Sequence, residues 1–314
     1  MNLAWVVGAG GLLGSALSRQ LRKDGSHVYI PEFRFQWNDP ATLNDQLQHA
    51  FVQFSDLVRA ASSWSIYWAA GVGTMHSDAG ALVGETDALR RLVKMVGDSC
   101  ILQTVVGGFS LASSAGAIYA GSQDPLISEL SAPVPTTAYA RAKLDQESIL
   151  HNLSRRSPSM VALAARCSTL YGPGQVIGKK QGLLTTLARH TVRGMPVHIY
   201  VPLDTIRDYI DADDAARTVV FMLNEAPRGA MTVKIVAAEL PTTVSEIVGI
   251  FRRVAMRSPK IITGSGQASA VYARRIQFCS IVRPGLQTKD RISLVVGIAR
   301  LLEAERARFA AGNR

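Results

Sequence analysis

Cysteine is scarce: Cys100, Cys167 and Cys279 are the only three in 314 residues. An odd number spread this far apart builds neither a disulfide framework nor a zinc site. The expectation is three buried, reduced thiols in a cytoplasmic protein. The six histidines lack metal-ligand spacing as well, so no metal is expected. Long apolar runs are missing too, and none approaches the roughly 20 residues that span a bilayer. The opening Met1-Asn2-Leu3-Ala4-Trp5 has no basic stretch and runs straight into glycines, so no signal peptide is expected. Aromatics make up only 7% of the chain, and no long Lys/Arg run occurs. The net charge of +10 is scattered through pairs such as Arg90-Arg91, Lys179-Lys180 and Arg252-Arg253. Single-stranded nucleic acid wants aromatic platforms in a basic groove, so neither nucleic acid nor a membrane is the expected partner. Apolar residues are plentiful, at 47% with 18% charged, as in a folded globular chain. The length allows one large domain or two tightly joined ones.

The first thirty residues change character cleanly. Leu3–Val7 reads as a buried strand, residues 8–14 as a glycine turn, Ser15–Lys23 as a helix and His27–Ile30 as a second strand. The alternation continues with helices over Thr42–Phe54, Ala81–Val96 and Ala138–Leu153. Further strands fall at Ser65–Ala70 and Met160–Ala165. Apolar segments at Ile101–Val106 and Ser110–Ala112 lie around another strand, which ends at Ser113-Ser114. Such alternation implies a parallel sheet covered on both faces, an α/β doubly wound fold. After about residue 170 the texture becomes mixed and richer in proline and glycine.

Gly8, Gly11 and Gly14 follow a strand and open a helix. A side-chain-free turn lets backbone N–H groups approach a pyrophosphate, and the helix N-terminus adds partial positive charge. Glu32 lies 24 residues after Gly8, where a carboxylate would accept from both adenosine ribose hydroxyls. Arg34, two residues on, is instead suited to a 2′-phosphate. NAD is the favoured cofactor and NADP the alternative.

Tyr139 and Lys143 are four residues apart and share one helix face. The ammonium favours the phenolate and eases proton exchange. Ser114, 25 residues before Tyr139, ends a strand, where its hydroxyl would share a substrate oxygen with the phenol.

These residues resemble the extended short-chain dehydrogenase/reductases, specifically the NAD-dependent epimerase/dehydratase group that acts on nucleotide-sugars. The resemblance covers roughly residues 3–250. It rests on the glycine turn, on Ala69-Ala70-Gly71, on Ser113 to Tyr119 and on Pro135 to Glu147. Tyr171-Gly172-Pro173-Gly174-Gln175 and Arg207-Asp208-Tyr209-Ile210 extend it. It implies Tyr139 as acid/base, Lys143 as the nicotinamide-ribose contact and Ser114, with Ser113 as alternative, on the reacting oxygen. It implies cofactor contacts from Gly8, Gly11, Leu12, Leu13, Gly14, Glu32, Arg34, Ala69, Ala70 and Gly71. Arg207 would grip the diphosphate, while Ser113, Thr169, Gln175, Gln181 and Gly182 would meet the substrate. A Rossmann part over 1–170, completed by a segment around 206–237, would carry a substrate-binding part of 171–205 and 238–314. A homodimer is also implied.

This chain departs from the family pattern in places. Ala115 stands where some members place a serine, Thr169 replaces an asparagine, and Gln36, with Asp39 nearby, stands for an adenine-side aspartate. The second and third strands are expected to be joined very tightly, with Pro31–Trp37 filling the gap. The usual helix asparagine is read as Asp87. No Asp-Glu pair follows the serine, so a 4,6-dehydratase is less expected than an epimerase or keto-sugar reductase. A cofactor-binding sensor without turnover is the reading of another class, disfavoured by the intact Ser-Tyr-Lys set. Asp211, Asp213 and Asp214 are read as helix-capping rather than cation-binding, and the arginines of the C-terminal end as a solvated helix face.

Overall fold

The computed structural model describes residues 1–175, 182–264, 274–286 and 290–312. The chain opens with β1 (Asn2–Val7), α1 (Leu12–Lys23), β2 (His27–Tyr29), α2 (Pro40–Val58), β3 (Ser63–Trp68) and α3 (Ala79–Asp98). It continues with α4 (Cys100–Thr104), β4 (Gly107–Ser114), α5 (Ala115–Ile118), α6 (Ala138–Arg156) and β5 (Val161–Cys167). Next come β6 (Thr169–Tyr171), α7 (Leu183–Arg193), β7 (Pro196–Ile199), β8 (Ile206–Asp211), α8 (Ala212–Glu225) and β9 (Met231–Val236). The last are β10 (Pro241–Thr243), α9 (Val244–Ala255), β11 (Lys260–Thr263) and α10 (Leu294–Gly312).

Six strands form a parallel sheet in the order β2-β1-β3-β4-β5-β9. Its strands are apolar along their length because both faces are covered, and every residue of β5 is buried. On one face Leu47 and Phe54 of α2, Leu89 and Leu92 of α3 and Leu150 of α6 pack on Trp5, Ile66 and Phe109. On the other face Leu17 and Leu21 of α1 and Val219 and Leu223 of α8 pack on Ala4, Val6 and Leu163. This is the doubly wound α/β Rossmann arrangement.

The second part holds a three-stranded sheet, β10-β8-β6, and a parallel pair of β11 and β7. Helices α7, α9 and α10 close its core around Leu187, Val197, Ile247, Phe251 and Leu301. Asp208 fastens this part to the large sheet. One carboxylate oxygen accepts from Ser168 Oγ at 2.5 Å and Ala238 N–H at 2.8 Å, the other from Leu240 N–H at 3.0 Å. Burial pushes this carboxyl above the usual range, against the hydrogen bonds it receives.

Several expectations are corrected. Residues 100–104 form a short helix, capped by the Ser99 side chain, rather than an approach to the strand. Cys100 is exposed and Cys279 is partly so, leaving Cys167 as the buried thiol. Between β2 and α2 no strand is assigned. Instead Phe33, Phe35 and Trp37 form a ladder of ring contacts at 5.7 and 5.9 Å that reaches Trp68 at 6.1 Å. Asp211 caps α8 by accepting from Asp213 N–H. Arg300 is not a solvated face residue: it pairs with Asp213 at 2.6 Å and Asp211 at 3.5 Å.

Candidate functional site

The sheet order reverses between β1 and β3, and a crevice opens where such neighbours diverge. The glycine turn lies there. Gly8 has φ +91°, and a Cβ on it would sit 2.5 Å from Ala70 N. A Cβ on Gly14 would come within 2.1 Å of Gly8 O. Bare backbone at these two positions lets the ends of β1 and β3 abut and α1 start against the turn. Gly11, the N-cap of α1, gives no side-chain cap, so the first N–H groups of the helix meet no side chain of the cap residue. Leu13 is buried and Leu12 partly so, and both pack with the α1/α8 layer. Ala69 and Ala70 follow β3, Ala69 packing on the α1/α8 side of the sheet and Ala70 in the core of the opposite face.

Beyond β2 the side chains alternate. Phe33, Phe35 and Trp37 turn toward the core, while Glu32, Arg34 and Gln36 are exposed. The aromatic ladder therefore puts both ribose-side candidates on one open face, and the fold does not choose between them.

Thr137 caps α6 by accepting from Ala140 N–H at 3.1 Å. Helical spacing then sets Lys143 Nζ 5.6 Å from the Tyr139 ring centroid. Ser114 ends β4, caps α5 by accepting from Ala117 N–H at 3.4 Å, and lies beside the Tyr139 hydroxyl, whose pKa it draws down. Gly73 brings the loop after β3 onto this ring, where a Cβ would sit 3.1 Å from Tyr139 Cδ2. The two serines separate: Ser113 is buried and donates to Glu147 Oε1 at 2.6 Å. Glu147 also receives Arg166 Nη2 at 2.6 Å and Nε at 2.9 Å, forming a closed ion pair behind the site.

On the substrate side, Thr169 and Arg207 lie on neighbouring strands, Thr169 opposite Tyr209. Arg207 is partly exposed and donates from Nη1 to Ile206 O at 2.8 Å. Gln175 accepts from Thr185 Oγ1 at 2.6 Å. Gly182 starts α7 with φ +108°, and a Cβ there would lie 2.5 Å from Gln175 Nε2. Gln181 lies outside the described residues, as do Lys179 and Lys180. No group of three or more candidate metal ligands occurs among the described residues. Nor, among them, is any helix long and apolar enough to cross a membrane.

The sequence profile of the NAD dependent epimerase/dehydratase family matches residues 4–235. The chain belongs to this family. A dTDP-4-dehydro-6-deoxyglucose reductase of Escherichia coli is 30% identical over 112 residues, 36% of this chain and 35% of the relative. The aligned stretch thus spans about a third of that relative's length. Among solved structures, UDP-glucose 4-epimerase of Thermotoga maritima, with UDP-glucose, superposes with a TM-score of 0.78 at 17% identity, covering 98% of this chain and 100% of that one. UDP-glucuronic acid 4-epimerase of Bacillus cereus, with UDP-glucuronic acid and NAD, gives 0.75 at 19% identity, again covering 98% and 100%. At these identities the likeness is one of fold.

The dinucleotide required by an NAD-dependent epimerase/dehydratase fits the residues present. The cradle at Gly8 and Gly14 is one that any Cβ would fill, and the uncapped start of α1 suits a pyrophosphate. One residue at this site escaped the sequence reading. Asp87, read as the family's helix position, is only partly buried and pairs with Arg90. Glu85, two residues earlier, is buried and faces inward. Its Oε1 accepts from Lys143 Nζ at 3.0 Å and Gln146 Nε2 at 3.2 Å, and its Oε2 from Gly73 N–H at 3.4 Å. Gln146 Oε1 also accepts from Lys143 at 2.9 Å. The missed signal was periodic: Leu82, Glu85, Thr86 and Leu89 form the buried stripe of α3.

Charges here are strongly coupled. Loss of solvent pushes the Tyr139 phenol above its usual value; Lys143 pulls it down and Glu85 pushes it up. Burial opposes charge on Lys143, but Tyr139 and Glu85 outweigh it and hold the ammonium above its ordinary value. Burial likewise opposes ionisation of Glu85, and Lys143 with its hydrogen bonds overcomes it. The Cys167 thiol, also beside Lys143, is pushed up to about 12 by burial.

Proposed function

We propose that this chain interconverts a carbinol and a ketone on a nucleotide-diphosphate sugar, as an epimerase or as a keto-sugar reductase. The observation that carries this reading is the placement of Ser114, Tyr139 and Lys143 together in a fold whose glycine cradle suits a dinucleotide. Bound nicotinamide supplies the hydride acceptor or donor. Tyr139 takes the proton of the carbinol or returns one to the ketone, and Ser114 holds the same oxygen by a hydrogen bond. Lys143 places its charge beside the phenol and holds the nicotinamide ribose. The turn at Gly8, Gly11 and Gly14, with Leu12 and Leu13, holds the pyrophosphate. Ala69, Ala70 and Gly71 floor the crevice, and Glu32 accepts from the adenosine ribose. Arg207 grips the substrate diphosphate with paired donors, and Thr169, Gln175, Gln181 and Gly182 border the sugar. Ser113 serves the wall behind the site through Glu147 rather than the substrate.

The relatives support both forms of the reaction, since one is a reductase and two neighbours in fold are 4-epimerases. Mass spectrometry of the purified protein after denaturation tests the reading. A nicotinamide dinucleotide, with turnover of a nucleotide-sugar when that cofactor is present, is the expected outcome. A bound dinucleotide with no turnover across nucleotide-sugars leaves the sensor reading in its place.

A further inference from the structure

Lys143 is the cation of a proton-transfer pair, yet its charge is already answered inside the protein. Its Nζ lies 3.0 Å from Glu85 Oε1, and both side chains are 6% exposed. The carboxylate is locked on all sides. Gln146 bridges it to the same lysine, Gly73 N–H approaches it, and Gly71 leaves room for it, since a Cβ there would lie 2.6 Å from Oε1. α3 and α6 are packed together along this contact, with Gln146 also donating to Thr86 at 3.3 Å. The groups facing Tyr139 are Lys143 from its own helix, Glu85 from α3, Ser114 from β4 and the neutral Cys167 from β5. A buried cation alone would draw the phenol strongly toward phenolate. A buried anion hydrogen-bonded to that cation offsets part of its field, in the same sense as the burial of the phenol.

We infer that Glu85 is a positioning residue that fixes Lys143 and offsets part of its charge, so that the lysine draws Tyr139 less far toward phenolate than an unpaired ammonium would. This inference rests on the proposed reaction. In the ketone-reducing direction, bound reduced nicotinamide would supply the hydride to the carbonyl carbon and Tyr139 would supply the proton to its oxygen as the C=O double bond becomes a C–O single bond, the phenolate then recovering a proton from water. The phenol's raised pKa agrees with this assignment.

The test follows tyrosinate absorbance against pH, taking Tyr139's share as the difference between each protein and its Tyr139→Phe counterpart. It needs no knowledge of the sugar. Glu85→Gln keeps an oxygen for Lys143 but removes the charge. Its Tyr139 midpoint should fall by about one pH unit or more, a tenfold or larger rise in the ionisation constant. Glu85→Asp should return the midpoint toward that of the parent. Where Glu85→Gln alone leaves Lys143 too poorly compensated to fold, Glu85→Gln with Lys143→Met is compared with Lys143→Met, and the midpoint should again be lower without the carboxylate. Equal midpoints in these pairs overturn the inference while leaving the proposed reaction standing. With a substrate in hand, the pH below which carbinol oxidation falls should move down by about one unit in Glu85→Gln, and an unmoved limb also overturns it.

Discussion

Tyr139 differs from phenylalanine by one oxygen, and the proposed reaction passes through that oxygen. Its hydroxyl lies beside Ser114, and its ring lies against the backbone of Gly73. Tyr139→Phe removes the proton but keeps the ring packing. Turnover should fall roughly 10²–10⁴-fold while cofactor affinity stays within a factor of about two. Steady-state rates with titration calorimetry check both, and equal rates would remove Tyr139 from the mechanism. Glu32 and Arg34 pose the opposite problem, because both are exposed on one face of a loop that the aromatic ladder fixes. A carboxylate accepting from free ribose hydroxyls and repelling a phosphate should make NAD bind roughly tenfold tighter than NADP. Glu32→Ala should erase that preference in calorimetry. Tighter NADP binding that disappears in Arg34→Ala reverses the assignment.

At the scale of elements, the contact between α6 and the sheet is ionic as well as apolar. Glu147 on α6 faces Arg166 on β5, and Ser113 on β4 and Tyr119 complete the network. The arginine side chain is 8% exposed and the glutamate 5%. Glu147→Gln leaves a guanidinium buried without its counter-charge, a change that costs about 3–5 kcal/mol. Chemical denaturation should show this as a lower midpoint with an unchanged slope. A loss below about 1 kcal/mol would show that water or a shifted side chain compensates the arginine. The same elements show where reading by pattern stopped. Tyr139 and Lys143 were legible because an i, i+4 spacing is local. Glu85 was not, since a carboxylate in a buried stripe makes sense only once α3 lies against α6. Residues 100–104 misled because an apolar run of five residues suits a short helix as well as a strand.

Across the whole molecule, the proposed substrate would reach from the Rossmann crevice to the part built on β8, which Asp208 ties to the large sheet. Arg207 belongs to that second part, and the diphosphate it would hold takes no part in bond making. Arg207→Ala should therefore raise KM for a nucleotide-sugar roughly 10–100-fold and leave kcat within about threefold. An unchanged KM would mean the diphosphate is gripped elsewhere. The amino-acid sequence by itself determined the alternation of strands and helices, the glycine turn and the Ser-Tyr-Lys spacing. Each of these is written in local periodicity or in residue types that only one backbone geometry tolerates. The tertiary structure decided which serine meets Tyr139, which acidic residue of α3 meets Lys143, and that aromatic rings stand where a third strand was sought. Those choices depend on contacts between residues about 25 to 60 positions apart, and only packing of the elements brings such pairs within hydrogen-bonding or ring-contact distance.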